Sequence, residues 1–522
     1  MEEKSHPARI CVPVCESRAS ELTRRVKDAA ACADMVELRM DCLPGVEFAL
    51  ALRRLEELRR ASIPRPLILT LRPAEQGGRR EIDILNRLAF WVEHFLYDEA
   101  YDGFADIELE LLLLIWQSED TRWKKLDWSR VICSHHDFTG VPAGLEKIYE
   151  RMASTPARIL KIAVSAGDIT DCIPIFNLLE RARAQGRELI AIAMGQHGIA
   201  TRILGPSRGA FLTYATLDET HATAPGQFSL SELRELYRID RINPQTKIMG
   251  LMGSPVSHSV SPQMHNAAFA VRSIDAVYLP FEVHEAKDFL RRMVHPRSRE
   301  LDWNLRGLSV TAPHKSAVME LLDRVDEAAR EIGAVNTIVV EDDKLVGHNT
   351  DAAAFLGPLR DRAVSLGGAR CALIGAGGAA RSALWALRRE GAEVTLFARN
   401  MDKAGPLAEK FGASHAPLEK TSFSGFDLVV NATPLGTLGP GENETPASAS
   451  QLRGARLAYD LVYNPALTPF IRAATEAGCE SIGGIGMLVA QAAAQFSLWN
   501  GEDAPLNSMR EAAKRALQEK QG

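Results

Sequence analysis

The sequence predicts an α/β fold class: an N-terminal (β/α)8 TIM barrel followed by two further α/β domains, the second of them Rossmann-like. Three observations predict it. Eight short apolar strand candidates alternate with longer helical stretches between residues 9 and 216. A proline-marked break, "RIDRINPQTK" (238–247), follows. A second alternation then carries a glycine-rich strand-to-helix turn, "CALIGAGGAAR" (371–381). Alternating strands and helices are the signature of parallel sheets. Eight units in a row match a closed barrel, and a doubly wound open sheet is the competing architecture.

The strand candidates of the first part are "RICVPVC" (9–15), "MVELRMD" (35–41), "PLILTLR" (66–72) and "GFADIEL" (103–109). They continue with "RVICSHHDF" (130–138), "RILKIAV" (158–164), "ELIAIAMG" (188–195) and "AFLTYAT" (210–216). Stretches such as "ALALRRLEELRR" (49–60) and "FNLLERARAQG" (176–186) read as the helices between them. A final helix from Ser229 leads to a domain boundary at 241–245, so the first domain is expected over 1–241, and "TKIMGLMG" opens a new strand.

With 46% hydrophobic and 25% charged residues, the chain has the composition of a soluble globular protein. The net charge is -6 and no long basic block occurs, which argues against nucleic acid and anionic membranes as partners. The longest greasy run, "LELLLLIW" (109–116), is too short to span a bilayer. The opening residues have no signal-peptide pattern, so a cytoplasmic location is expected. The eight cysteines are scattered and form no C-x-x-C pair, so reduced thiols are expected rather than a metal site or a disulfide framework. The sequence sets no oligomeric state.

Strand side chains alternate between faces. Glu37 and Arg39 therefore share a face opposite Leu38 and Met40, and in a barrel clad by helices the charged face points inward. An edge strand with one wet face is the alternative for this segment taken alone. The same parity puts Ile159, Lys161 and Ala163 inside and Leu160, Ile162 and Val164 outside. Lys161 then stands near the C-terminal strand ends, where barrel active sites sit. Arg72 and Arg202 end neighbouring segments in the same way. Burial and nearby arginines both favour a neutral lysine amine, which is a nucleophile toward ketones. Of the adjacent His135 and His136, parity allows one to face the interior, where it could move protons beside an imine. Away from such a lysine, a lone histidine reads as structural.

Taken in order, "ELRMD" (37–41), "TLRPAEQGG" (70–78), "SHHDF" (134–138), "LKIA" (160–163), "GIATR" (198–202) and "TAPGQ" (223–227) resemble the type I 3-dehydroquinate dehydratases over most of residues 8–240. The resemblance implies that Lys161 forms an imine with the substrate ketone. It makes His136 the acid/base, working with Glu37, and gives Arg39, Arg72, Arg202, Thr223 and Gln227 the carboxylate and hydroxyls. Two departures stand out: Gln76 occupies the place of a family glutamate beside Gly-Gly, unless Glu75 displaces it, and Thr223 replaces a common serine.

In the second part, Gly375, Gly377 and Ala380 fill a G-x-G-x-x-G/A fingerprint between strand and helix, with Ala376, Gly378 and Ala379 between and beside them. Such a turn aims backbone amides at a pyrophosphate. The next strand ends in Ala398, Arg399 and Asn400, with Lys403 one turn later. No acidic residue is present for ribose hydroxyls, and the basic residues suit a 2′-phosphate, so NADP is predicted. A solvated surface arginine is the plain alternative.

Around the fingerprint stand "GSPVSHSVSPQMHN" (253–266), "GLSVTAPHK" (307–315), "GAVNT" (333–337), "GHNTDAAAF" (347–355), "VVNATPLG" (429–436), "AYDLVYNP" (458–465) and "GGIGMLVAQAAAQFSLW" (483–499). This series resembles shikimate dehydrogenase from 247 to about 500. The resemblance implies a substrate domain over 246–352, an NADP-binding Rossmann-like domain over 353–485, and C-terminal helices over 486–522 that return to the substrate domain. It makes Lys315 and Asp351 the catalytic pair. It assigns Ser259 and Ser261 to the substrate carboxylate and Thr311, Asn336 and Gln491 to ring hydroxyls, with Tyr463 nearby. Thr433, Leu461 and Gly484 join the cofactor site, and Ser309 replaces an asparagine of many members. Without its flanking motifs, "VTAPHK" would read as a simple strand-to-helix turn.

The combined expectation is a bifunctional enzyme taking small-molecule substrates, 3-dehydroquinate, 3-dehydroshikimate and shikimate, with NADP as cofactor and no metal. An oxidative quinate/shikimate dehydrogenase and a non-catalytic metabolite sensor are the alternatives.

Overall fold

The computed structural model describes residues 8–519 apart from 61–62, 64, 97–102, 219–225 and 420. The chain divides into two compact units, the first of Met1–Thr246 with the short segments Phe281–Val283 and Glu300–Trp303, the second of the remaining residues from Lys247 on.

The first unit is a parallel barrel. Its strands are β1 (Ile10–Val14), β2 (Met35–Arg39), β3 (Leu67–Thr70), β4 (Gly103–Glu108), β5 (Val131–Asp137), β6 (Ile159–Ser165), β7 (Glu188–Met194) and β8 (Thr213–Tyr214). They run in the order β7-β6-β5-β4-β3-β2-β1-β8. A parallel bridge between Leu189 and Ala210 closes the ring, reinforced by the Phe211 amide donating to the Leu189 carbonyl at 2.8 Å. The open-sheet alternative therefore does not hold.

Parity inside the barrel follows the sequence pattern. Cys11, Met35, Ile68, Ile132, Ile159 and Ile190 form one interior apolar cluster with Phe104 against it. This layer fills the barrel beneath the polar residues that follow two positions later on several of the same strands. Leu160, Ile162 and Val164 are buried but stand outside that cluster, on the opposite face of β6.

Three expectations differ in detail. The strand over 210–216 shortens to Thr213–Tyr214, with single bridges at Ala210 and Thr216. The expected final helix breaks into a short wide turn at Glu232–Leu236 and a tight one at Ile239–Arg241, because Arg238 between them adopts a left-handed backbone (φ 51) that a right-handed helix cannot include. The third concerns the thiols. Cys15 and Cys42 are joined as a disulfide, while Cys11, Cys32, Cys133, Cys172, Cys371 and Cys479 are free. Neighbouring strands β1 and β2 bring their following loops together, which the spacing in sequence does not reveal.

The second unit holds two sheets. The first takes β9 (Lys247–Gly253), β10 (Ala276–Glu282), β11 (Leu305–Val310), β12 (Arg324–Val325), β13 (Thr337–Glu341) and β14 (Lys344–His348), in the mixed order β10-β9-β11-β13-β14-β12. The second takes β15 (Arg370–Ile374), β16 (Glu393–Ala398), β17 (Ser414–Pro417), β18 (Leu428–Asn431), β19 (Leu457–Asp460) and β20 (Glu480–Ile482). Its order is β17-β16-β15-β18-β19-β20, all parallel. That is the doubly wound 3-2-1-4-5-6 arrangement, whose switch point lies between β15 and β18. Phe496, Trp499, Met509 and Ala513 of the two last helices, Ile485–Asn500 and Leu506–Glu519, share a core with Met249, Val260 and Phe269 of the first sheet's layer. Among the described residues no helix is long and apolar enough to cross a membrane.

Candidate active sites

In the barrel, β2, β5 and β6 each place a polar side chain on the inner face. With the turn after β3, they line an open cavity of about 570 Å³ with Glu37, Arg39, Arg72, His136, Lys161, Arg202 and Gln227. Thr223 lies outside the described residues. Lys161 is 3% exposed. Its Nζ donates to Asp106 Oδ2 at 2.6 Å and to Glu37 Oε1 at 3.4 Å, and it stands 4.7 Å from the centroid of the Tyr214 ring. The sequence had pointed to arginines as the lysine's charged company. Its recorded ion-pair partners are carboxylates.

His136 faces the cavity and His135 does not. Burial pushes the His136 imidazole well below its usual range, and Arg72, Lys161 and Arg39 push the same way, so the ring is neutral. Its backbone amide donates to Gln76 Oε1 at 2.8 Å, which ties the loop after β3 to β5. Glu37 Oε1 accepts from Thr70, Arg72 and Lys161. Burial acts to raise the Glu37 carboxyl, but Lys161, Arg72 and Arg39 together hold it down at about 2. These contacts put the carboxylate beside the lysine, in the cavity that His136 also lines.

Two residues that matter here were missed in the sequence. Asp41, fully buried, accepts both arms of the Arg39 fork, Nε at 2.8 Å and a terminal nitrogen at 2.7 Å, and also takes the Arg79 amide at 3.1 Å. Asp106 backs the lysine. Strand parity in "GFADIEL" was the available signal, because Phe104, Asp106 and Glu108 share the inner face. Burial of Arg202 lowers its guanidinium to about 10. A charged partner that accepts two forked bonds, such as a carboxylate, would offset that cost.

In the second unit, Lys315 Nζ donates to Asp351 Oδ2 at 2.5 Å. Asn336 Nδ2 holds the other oxygen at 2.7 Å and Thr350 Oγ1 at 2.9 Å. The Val335 amide donates to the Lys315 carbonyl at 2.7 Å, so the segment Val335–Asn336 just before β13 holds the lysine's backbone and the aspartate's side chain together. The Gln491 carbonyl accepts from Thr350 Oγ1 at 3.3 Å, while its side chain donates to Leu488. Ser259 Oγ accepts from the Ser261 amide at 3.1 Å. Thr311 lies against Gly253, where a Cβ would fall 2.2 Å from the threonine methyl, so only glycine allows that approach. Tyr463 is half-buried and packs on the same core as Met249. Ser309 is occupied: it accepts from Tyr278 and donates to Gln495, each at 2.7 Å. Gln495, adjacent by one helical turn to Gln491, is a further residue the sequence reading missed.

The cofactor candidates gather at the switch point. Gly375 closes β15 at φ +119, and a Cβ there would lie 2.9 Å from the Ala432 carbonyl and 3.2 Å from the Thr433 methyl. Its amide donates to the Phe397 carbonyl, next to Ala398. The helix Gly378–Arg389 begins with Ala379 in its first turn, and its N-cap, Gly377, offers no side chain to its free amides. Ala376 is half-buried beside it. Leu461 meets Gly484, whose Cβ would sit 2.5 Å from the Leu461 carbonyl. Arg399 is exposed, as is Lys403, whose amide is capped by the Asn400 side chain. Open amides at a helix start, Ala398 rather than a carboxylate at the end of β16, and exposed Arg399 and Lys403 beyond it fit a dinucleotide carrying an extra phosphate.

Comparison with known proteins agrees with this division. The family model of type I 3-dehydroquinase matches residues 10–244. The shikimate dehydrogenase substrate binding domain matches 251–338, and the shikimate 5'-dehydrogenase C-terminal domain matches 484–514. The chloroplastic bifunctional 3-dehydroquinate dehydratase/shikimate dehydrogenase of Arabidopsis thaliana is 33% identical, over 97% of this chain and 85% of that one. The shikimate dehydrogenase (NADP(+)) of Carboxydothermus hydrogenoformans is 40% identical, over 52% of this chain and 98% of its own. Among solved structures, shikimate dehydrogenase of Thermus thermophilus with NADP(H) and shikimate is 36% identical, covers 52% of this chain and 99% of that chain, and has a TM-score of 0.47. The chain belongs to the bifunctional 3-dehydroquinate dehydratase/shikimate dehydrogenase family.

Proposed function

We propose the following division of labour. The first half dehydrates 3-dehydroquinate to 3-dehydroshikimate, and the second reduces 3-dehydroshikimate to shikimate. Lys161 attacks the substrate ketone and forms an imine, which acidifies the neighbouring carbon. His136, neutral and facing the cavity, takes that proton and delivers one to the departing hydroxyl. Arg39, Arg72 and Arg202 hold the carboxylate and hydroxyls, and Asp41 fixes the fork of Arg39. Thr223 and Gln227 join them. The observation that carries this reading is a lysine 3% exposed, on the wall of a cavity that three arginines also line, with a neutral histidine on the same wall.

In the second half, Ser259, Ser261, Thr311, Asn336, Tyr463 and Gln491 bind the substrate. Lys315, fixed by Asp351, passes a proton to the forming alkoxide. The Gly375–Ala379 turn, Thr433, Leu461 and Gly484 would hold NADPH, with Arg399 and Lys403 toward its 2′-phosphate, and the bound nicotinamide would supply the hydride. Ala398 leaves the position of an NAD-type carboxylate empty of charge, which is the feature against an NAD-dependent oxidative role. The four domains expected from the sequence provide the frame for these assignments. A cytoplasmic setting is supported by the six free thiols and opposed by the Cys15–Cys42 bridge.

Supplying 3-dehydroquinate with NADPH tests both halves in series. Nicotinamide absorbance falls with the intact chain. Lys161→Met abolishes that loss with 3-dehydroquinate and preserves it with 3-dehydroshikimate, whereas Lys315→Met abolishes both. Full consumption from 3-dehydroquinate by Lys161→Met contradicts the reading.

A further inference from the structure

Lys161 is held between two carboxylates that stand differently toward the cavity. Glu37 lines it and is engaged by Thr70 and Arg72 as well as by the lysine. Asp106 is not on the cavity wall, is 3% exposed, and makes the shorter contact, 2.6 Å to Nζ against 3.4 Å for Glu37. Its other recorded side-chain contact is a long one, 3.5 Å from Arg72. An ammonium cannot attack a carbonyl, so the lysine must lose a proton without losing its place. A carboxylate behind the nitrogen can take that proton while leaving the approach to the ketone clear. Glu37, on the cavity side and clasped by a guanidinium, is the poorer acceptor.

We propose that Asp106 is a catalytic residue: the base that discharges Lys161 for imine formation and recharges it afterwards. The inference rests on the dehydratase reading above. Asp106 takes one proton from the ammonium, and the freed lone pair forms the C–N bond as the carbonyl π pair moves to oxygen. His136 carries a proton from the new nitrogen to that oxygen. Asp106 returns its proton to the nitrogen, and His136 carries a second one to the oxygen. Water departs with its bonding pair as the nitrogen lone pair closes the protonated imine. The three ammonium protons end as two on water and one on nitrogen, and no outside reagent is needed.

The test compares the full chain with Asp106→Asn and Asp106→Glu by quenching single turnovers in borohydride and measuring the adduct on Lys161. General-base catalysis of this kind contributes on the order of 10²–10⁴-fold. Asp106→Asn is expected to form the adduct at least 10²-fold more slowly near neutral pH. The deficit should shrink as pH rises, because hydroxide then discharges the lysine, and Asp106→Glu should recover part of the rate. Unchanged binding of a non-reactive substrate analogue and an unchanged melting profile of the barrel separate this from misfolding. Adduct formation by Asp106→Asn within about 3-fold of the parent, or a deficit that is the same at every pH, overturns the proposal. If the parent chain itself forms no adduct, the dehydratase reading fails instead.

Discussion

Glu108 ends β4 on the inner face, 5% exposed, paired with Arg87, which also reaches Glu75 at 3.1 Å. Burial raises its carboxyl from 4.5 to about 7 even against the attraction of Arg87. A folded value above the unfolded one means that the protonated form fits the fold better. Stability is then full below about pH 4.5 and is lost as pH rises through about 7. At 1.36 kcal/mol per unit, the ionised carboxylate costs the fold on the order of 3 kcal/mol above pH 7. Glu108→Gln keeps the shape and an acceptor for Arg87 while removing the titration. It is expected to stabilise the barrel by roughly 2–3 kcal/mol at pH 8 and by almost nothing at pH 4.5. The urea midpoint for loss of dehydratase activity, read at several pH values, reports it, since reductase activity tracks the other unit. A variant less stable than the parent at pH 8, or a gain that is constant with pH, would refute the reasoning.

Two more predictions concern the cofactor and the thiols. Arg399→Gln should raise the KM for NADPH by about 10–100-fold, the worth of one charge-assisted phosphate contact, and leave the NADH rate nearly unchanged; equal effects on both would remove Arg399 from the 2′-phosphate. Thiol titration of the denatured, unreduced chain should find the six free cysteines and rise to eight after reduction, and Cys15→Ser should lower the stability of the oxidised barrel by about 2–4 kcal/mol; eight thiols at the outset would mean that the bridge is absent.

The parts of this fold legible in the sequence are those governed by period and punctuation. Strand alternation placed Lys161 and Glu37 on the inner wall, because a one-residue step reverses the face and the helices outside require apolar contacts, and it left His135 and His136 as alternatives that the family resemblance resolved toward His136. The glycine turn after β15 was legible because a backbone at φ +119 needs glycine. What escaped depended on register between distant strands. Asp106 meets Lys161 across β4, β5 and β6, 55 residues away in sequence. Asp41 was visible in "ELRMD" but its fork to Arg39 depends on the tight turn Met40–Cys42. Cys15 and Cys42 look unrelated until β1 and β2 pair. The last helix of the barrel breaks at Arg238, whose left-handed backbone leaves no mark in the local helical pattern.

The central claim is that a buried lysine on β6 forms a covalent imine with a ketone. Incubating the chain with 3-dehydroquinate, adding borohydride and mapping the product by peptide mass tests it most directly. The account predicts a stable adduct on the peptide carrying Lys161, loss of dehydratase activity in step with labelling, and retained reduction of 3-dehydroshikimate. Rapid dehydration with no adduct at Lys161, or an adduct that leaves dehydratase activity intact, would contradict it.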